Sequence, residues 1–287
     1  MGKTLKSYAQ HRLEENMREY SFYYKKFKRL IMSMFKWENL PDGISARFIE
    51  DKLFDIGQLI FYKSAGGFYV VRQATFINLN DYEEPTEYHT ISITGDNETI
   101  SANDCIPIWN DHFREGNSKN VHFFAKELGN IKKTIDCNLE QLKNPTIISC
   151  TEGQRASVEA MLSKKTNGVP YIVTSKEWQE LNANNINVFD MHVQDHTKNL
   201  FDIKQRVENE AMTFFGINNI DIAKRERLTQ AEGEGNNEQI SINFESMFQS
   251  RLNAVKQINK KFNLDIKVDI VDSLKNSRQM KEGLDNV

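Results

Sequence analysis

The most constraining feature of this sequence is a long apolar stripe between residues 121 and 143. Apolar side chains recur there every three or four residues, which is the spacing of one face of an α-helix. The stripe consists of Val121, Phe124, Leu128, Ile131, Ile135, Leu139 and Leu142. Pro145 follows and should end the helix. A face that stays apolar for about six turns has to be covered by other protein.

A second helix with one apolar face is predicted over residues 197–215, and the two helices bracket a small α/β insertion. Strands are predicted in the insertion at 146–150, 169–174 and 186–193, around a short helix at 155–164. Because these helices have little else to pack on within the chain, oligomerisation is one interpretation. The other is an ordinary helical hairpin buried in a monomer.

The remaining elements lie at the two ends of the chain. Helices are predicted at 7–35, 45–54 and 244–262, a β-hairpin at 58–80, and short strands at 87–94, 98–101 and 264–271. Ser45 is the predicted N-cap of the second helix. The predicted fold class is α+β, predominantly α.

Composition indicates a folded protein made in a reducing compartment. The 287 residues are 39% hydrophobic, which is enough for a substantial core. The three cysteines, Cys105, Cys137 and Cys150, have no CxxC spacing, so neither a disulfide framework nor a metal site is expected. The sequence shows neither a secretory signal nor a membrane span, so we expect no membrane partner and synthesis in the cytoplasm.

Charge is distributed unevenly along the chain. Residues 1–36 carry nine lysines and arginines against three glutamates, a net charge of +6. Since the whole chain carries −3, the rest carries −9. A basic arm on an acidic body suggests contact with a polyanion, although a solvated helix face is the alternative.

A second group of cations follows the helix at 197–215. Lys204 and Arg206 lie on that helix, and Lys224, Arg225 and Arg227 follow in a stretch that runs into the glycine- and acid-rich residues 231–238. That tract has few apolar groups to bury, which predicts a flexible loop. Cations on flexible stems suit transient phosphate contacts, whereas scattered solubilising charge is the alternative.

Catalytic and cofactor motifs are not found. The sequence has no phosphate-binding loop, dinucleotide fingerprint or nucleophile elbow. His192 and His196 are four residues apart but lack the glutamate of HExxH and a third ligand. We therefore predict no enzyme activity, no cofactor and no metal site.

Several stretches, in order, resemble the portal proteins of small short-tailed phages of the Picovirinae type, also called head-tail connectors or upper collar proteins. The resemblance rests on FKWENLP (35–41), FIE (48–50), GxLxFYK (57–63), QAT (73–75), NEAMTFFGINN (209–219), AKRERL (223–228), NNEQI (236–240) and LDIKV (264–268). The insertion from Pro145 to Val193 matches only loosely.

The resemblance implies a portal-type fold assembled as a ring. It divides the chain into an N-terminal basic arm and wing (1–120), a first stem helix (121–144), a clip (145–194), a second stem helix (195–216), a flexible channel loop (217–238), and a C-terminal wing part with a tail (239–287). The wing contains β-strands and the clip is a small α/β unit.

The function implied by the resemblance is a homo-dodecameric channel for packaging, retention and ejection of double-stranded DNA, with tail attachment, at one vertex of the virion. The implied DNA contacts are Lys204, Lys224, Arg225 and Arg227. Implied partners are capsid and scaffold proteins, a packaging ATPase and lower collar or tail proteins. In some relatives a packaging RNA binds the basic N-terminus and the clip, and here Lys3, Lys6 and Arg12 are open to that role.

The alternative hypothesis, drawn from the residues alone, is a monomeric or dimeric nucleic-acid-binding module that uses the basic N-terminal helix. A hydrolase using His192 and His196 is a third hypothesis, and it lacks an accompanying nucleophile.

Overall fold

The computed structural model describes residues 2–143, 146–149, 187–190, 194–218, 230–272 and 274, with side chains for 17–140, 142, 194–218, 238–272 and 274. The helices are α1 (Gly2–Met32), α2 (Ala46–Ile56), α3 (Ser118–Lys143), α4 (Thr197–Phe214) and α5 (Gln230–Phe262). The strands are β1 (Phe35–Glu38), β2 (Gln58–Lys63), β3 (Tyr69–Leu79), β4 (Pro85–Ile91), β5 (Thr99–Ser101), β6 (Cys105–Trp109), β7 (Thr146–Ser149), β8 (Asn187–Asp190) and β9 (Lys267–Ile270). The expected mixture of helices and antiparallel sheet is confirmed.

Two compact units share the chain: residues 1–132 with 203–287, and residues 133–202. In the first unit, β5, β4, β3, β2 and β6 form an antiparallel sheet in that order, and β1 pairs with β9. In the second unit, β7 pairs with β8, which confirms the strands predicted at 146–150 and 186–193 over their described residues, 146–149 and 187–190. The strand at 169–174, the helix at 155–164 and His192 lie outside the described residues.

The core of the first unit lies where its helices meet one face of the sheet. Side chains that are at most 1% exposed include Phe27 (α1), Ile49 and Leu53 (α2), Val121 and Leu128 (α3), Ala211 (α4), Phe244 and Ile258 (α5), and Leu59 and Phe61 (β2). The apolar stripe that predicted α3 therefore supplies core side chains at Val121 and Leu128 in the first unit.

A buried arginine joins distant parts of this core. Arg251 on α5 is 1% exposed, and Glu50 on α2 is 4% exposed. The guanidinium donates through Nε and Nη2 to the two Glu50 carboxylate oxygens at 3.0 and 2.8 Å, and through Nη1 and Nη2 to the main-chain and side-chain oxygens of Asn110. Nη1 also donates to the carbonyl of Met247, so all five N–H donors are used. The indole of Trp37 on β1 donates to Glu50 as well.

Two glycines permit close approaches between elements. Gly57 ends α2 at φ +81°, and a Cβ there would come within 2.3 Å of the main chain at Glu115. Gly216 follows α4 at φ +70°, and a Cβ there would lie 2.7 Å from the main-chain nitrogen of Phe244 on α5. Both positions require glycine because the left-handed backbone and the close contact disfavour any side chain.

Several predicted boundaries require correction. The first helix ends at Met32, and residues 35–38, predicted as its end and a turn, form β1. β6 was not predicted. The helix predicted from residue 244 begins at Gln230, so residues 231–238, predicted as loop, have helical backbone. Their glutamates and alanine are good helix formers, and acidic residues are favourable near a helix N-terminus, which offsets a cost of about 1 kcal/mol per glycine.

Candidate nucleic-acid interface

Lys204 is the predicted DNA-contacting residue whose side chain the structure describes. It lies on α4 in the first unit, where its side chain is 22% exposed. Its ammonium group donates to Glu208, one helical turn later, at 3.2 Å, and lies 5.8 Å from the centre of the Tyr23 ring on α1. Lys204 is therefore a half-buried, paired cation.

Glu208 binds a second lysine, Lys26 of α1. Burial alone would raise the pKa of the Glu208 carboxyl, but the hydrogen bonds and charges of Lys26 and Lys204 outweigh burial and hold the pKa below its usual range. The carboxylate is therefore ionised at neutral pH, and the three groups together carry a net charge of +1. A phosphate approaching Lys204 would have to compete with this carboxylate.

The other predicted contacts are less well defined by the structure. Lys224, Arg225 and Arg227 lie outside the described residues. Lys3, Lys6 and Arg12 lie on the helical backbone of α1, in the part whose side chains are not described. All six stay predictions.

The structure adds a cationic stripe on α1, which we define as Arg18, Phe22, Lys25 and Arg29. All four side chains are exposed, and Phe22 is 60% exposed. Their spacing of four, three and four residues places them along one helix face, opposite the buried Tyr23, Phe27 and Ile31. The sequence predicted the charge of this arm, and the same spacing could have shown that the cations flank an aromatic side chain.

A groove on the first unit is the other prominent surface feature. Its volume is about 650 Å³, and it lies between residues 111–120, the end of α4 at Phe214, and residues 242–249 of α5. Phe113, Phe214 and Ile242 line it and are 85%, 44% and 62% exposed. Its acidic residues are Asp111, Glu115 and Glu245. Such an apolar surface in a single chain is typical of an interaction site.

Nothing in the described residues resembles a catalytic centre. No group of three or more histidines, cysteines, aspartates or glutamates is placed to hold a metal ion in the part of the chain the structure describes. Burial raises the pKa of the Cys105 thiol to about 11, so this thiol stays protonated and is a poor nucleophile at neutral pH. His196 is exposed, and its main-chain nitrogen donates to the side chain of Asn138 at 3.3 Å within the second unit. Among the described residues no helix is long and apolar enough to cross a lipid bilayer.

Comparison with solved structures defines the class of fold. The structure described as portal and tail of native bacteriophage P68 is similar to this chain with a TM-score of 0.55 and 16% identity, over 98% of this chain and 96% of that one. An HK97 family phage portal protein from Corynebacterium diphtheriae also matches, at a TM-score of 0.44 and 9% identity, over 89% of this chain and 93% of that one. The P68 match shows that the chain has a portal fold.

The family is shown by sequence. The family described as Phage Connector (GP10) matches residues 3–275, and the chain belongs to that family. The protein is thus a phage portal, or head-tail connector, as the resemblance implied. Connectors are structural proteins of the virion head vertex that act as oligomeric rings with capsid and tail partners.

Proposed function

We propose that this connector forms a dodecameric ring whose channel carries double-stranded DNA during packaging, retention and ejection. The observation that carries the proposal is the family match over residues 3–275. In this ring α3 and α4 are the stem helices, 145–194 is the clip, 217–238 holds the channel loop, and 1–120 with 239–287 forms the arm, wing and tail. The apolar side chains that α3 and α4 leave exposed in the single chain, such as Leu139, Phe201 and Ile203, would then be covered by neighbouring copies.

Within the channel, the DNA contacts would come from Lys224, Arg225 and Arg227, with Lys204 as a weaker one. Cations that bind phosphates hold a duplex without reading its sequence, which suits a conduit for a whole genome. Twelvefold symmetry would turn each cation into a ring of charge. The net charge of −9 outside residues 1–36 would limit sticking by repelling the duplex.

Partners beyond DNA follow from the same proposal. Scaffold and capsid proteins would contact the wing, while a packaging ATPase and lower collar or tail proteins would dock at the clip. A packaging RNA bound by Lys3, Lys6 and Arg12 is a separate proposal. A mobility-shift assay with a small structured RNA tests it, since equal binding by a variant lacking residues 2–13 would exclude the arm.

The ring itself is tested by the native mass of the purified protein. Twelve chains of 33.4 kDa give about 401 kDa. Light scattering should give this mass, and negative-stain images should show a ring with a hole wide enough for a duplex. A stable species of one or two chains would favour the alternative, a nucleic-acid-binding module that uses the basic N-terminal helix.

The DNA contacts are tested in virions carrying Lys224→Ala and Arg225→Ala together. We expect packaging to proceed and the fraction of heads that retain DNA to fall, because a ring of phosphate contacts is lost. Lys256→Ala with Lys260→Ala, two exposed cations on α5, is the matched control. Full retention in the channel-loop variant would contradict the proposed role.

A further inference from the structure

The groove and the cationic stripe have matching properties. The groove is concave and mostly apolar, and three acidic residues line it, Asp111, Glu115 and Glu245, which we call its acidic rim. The stripe is a convex helix face with one exposed aromatic side chain, Phe22, between cations. Opposite charge and complementary shape are the features that orient two protein surfaces toward each other.

We propose that, in the ring of the proposed function, the groove of each copy receives the cationic stripe of a second copy. Phe22 would enter the apolar part of the groove beside Phe113 and Ile242. The cations of the stripe would face the acidic rim. This inference rests on the proposed ring and adds to it the two surfaces that meet.

The occupant of the groove has to come from another copy. The stripe lies on the face of α1 opposite Tyr23, Phe27 and Ile31, which attach α1 to its own core. It is therefore turned away from the body that carries the groove. Two different surfaces on one chain make a head-to-tail contact, which closes into a ring when the rotation allows it.

A second exposed apolar segment is a weaker candidate for the groove. The end of the β3–β4 hairpin exposes Phe76, Leu79 and Tyr82. However, Asp81, Glu83, Glu84 and Glu87 accompany them. Like charges facing each other across an interface are unfavourable, so the hairpin does not match the acidic rim.

The stripe is longer than the side of the groove that α5 forms. Arg18 to Arg29 spans about 16 Å along α1, whereas Ile242 to Gln249 spans about 10 Å along α5, so the middle of the stripe, around Phe22, would lie in the groove. Phe22 is a suitable anchor, since an aromatic side chain in a central apolar pocket contributes most to binding when it is surrounded by contacts that exclude water.

The charge part is tested by reversing the stripe with Arg18→Glu, Lys25→Glu and Arg29→Glu. We expect the protein concentration for half-assembly, measured by sedimentation velocity, to rise at least about tenfold. Adding Glu115→Lys and Glu245→Lys should restore part of the loss. Lys256→Glu with Lys260→Glu has the same kind of charge change outside both surfaces and should assemble as the unmodified protein does.

The position of Phe22 is tested by replacing it with the photoreactive analogue benzoylphenylalanine. Irradiated rings should give crosslinks between chains, with mass spectrometry locating them in residues 111–120 or 242–249. The analogue at Phe68, an exposed aromatic residue on neither surface, is the control.

The outcomes separate the two proposals. An unmodified protein that stays monomeric overturns the ring and this interface with it. Normal rings whose crosslinks map elsewhere overturn the interface alone. Charge-reversed protein that assembles normally but loses binding to duplex DNA in a gel shift would make the stripe a nucleic-acid contact and would also overturn the interface.

Discussion

Glu50 and Glu208 both accept hydrogen bonds from cations, but in different surroundings. Glu50 is buried, bound to one arginine whose five donors are all used, and also accepts from Trp37. Glu208 is 20% exposed and shares its charge between Lys26 and Lys204. The Arg251–Glu50 site allows only one geometry, because any displacement of these side chains would leave a buried donor without an acceptor. The Glu208 site can exchange partners at low cost, since either lysine can turn to water while the other stays.

The two sites represent two kinds of charged group in this fold: one fixes the packing of several elements, and the other can change partners. The Arg251 cluster holds α2, α5, β1 and the segment at Asn110 in one arrangement. The lysines around Glu208 connect α1 with α4 and keep some access to solvent. We expect a residue that contacts a passing ligand to lie in a partly exposed site such as that of Glu208.

The largest effect is expected from Arg251→Met. It leaves Glu50 as a buried carboxylate without its cation, which costs about 3–5 kcal/mol of unfolding free energy. Urea unfolding followed by circular dichroism, at one protein concentration for all variants, measures the loss. Adding Glu50→Gln should recover part of it, because the amide is neutral and its oxygen can still accept from Trp37. If Arg251→Met lowers the free energy of unfolding by less than about 1 kcal/mol, the buried Glu50 pair contributes no more to stability than the partly exposed Glu208 pair.

An intermediate effect is expected from Glu208→Gln, on the order of 1 kcal/mol, since the site is only partly buried. The pKa of Glu208 is lower in the folded protein, so the stabilisation is complete above the usual carboxyl range of about 4.3 and is lost as pH falls through the folded value. The gap between the unmodified protein and the variant should be widest near neutral pH and close in acid. A gap that persists at pH 2 would show that the amide disturbs packing and that charge is not responsible.

The smallest effect is expected from Lys36→Gln on β1. Lys36 and Glu38 are only 2.7 Å apart, closer than Lys204 and Glu208, but their side chains are 60% and 45% exposed. Since water screens such a pair, we expect no measurable change in urea midpoint. A change as large as that of Glu208→Gln would mean that the distance between the charges, and not their burial, determines how much these ion pairs contribute to stability.

The sequence predicted the elements with long, regular periodicity. α3, α4 and the β2–β3 hairpin were expected from spacing alone, and Ser45 caps α2 as predicted. β1 was not predicted because it has only four residues and pairs with a strand near the far end of the chain. β6 escaped because Pro107 argues against a strand, but β6 is the edge strand of its sheet, where proline is tolerated.

The surfaces were less predictable than the fold. Lys204 came from the family resemblance, whereas its pairing with Lys26 depends on how α1 packs against α4. Arg251 appears in the sequence as one more charge on an amphipathic helix, and its partner Glu50 is 201 residues away. The groove is assembled from three separate segments, so no local pattern could have indicated it.

The pairing of β1 with β9 has a consequence for how the protein is made. β1 leaves the ribosome early, but its partner in the ladder, β9, comes at the far end of the described chain, and the flanking Asn39 and Asp265 are hydrogen bonded at a separation of 226 residues. Contacts so distant in sequence form late and slowly. Until then Phe35 and Trp37, both buried in the finished fold, lack the strand that covers them. A nascent chain interrupted before Lys267 would therefore keep these aromatic side chains exposed and prone to aggregation. Such a chain would be a substrate for chaperones and proteases before it can enter a virion.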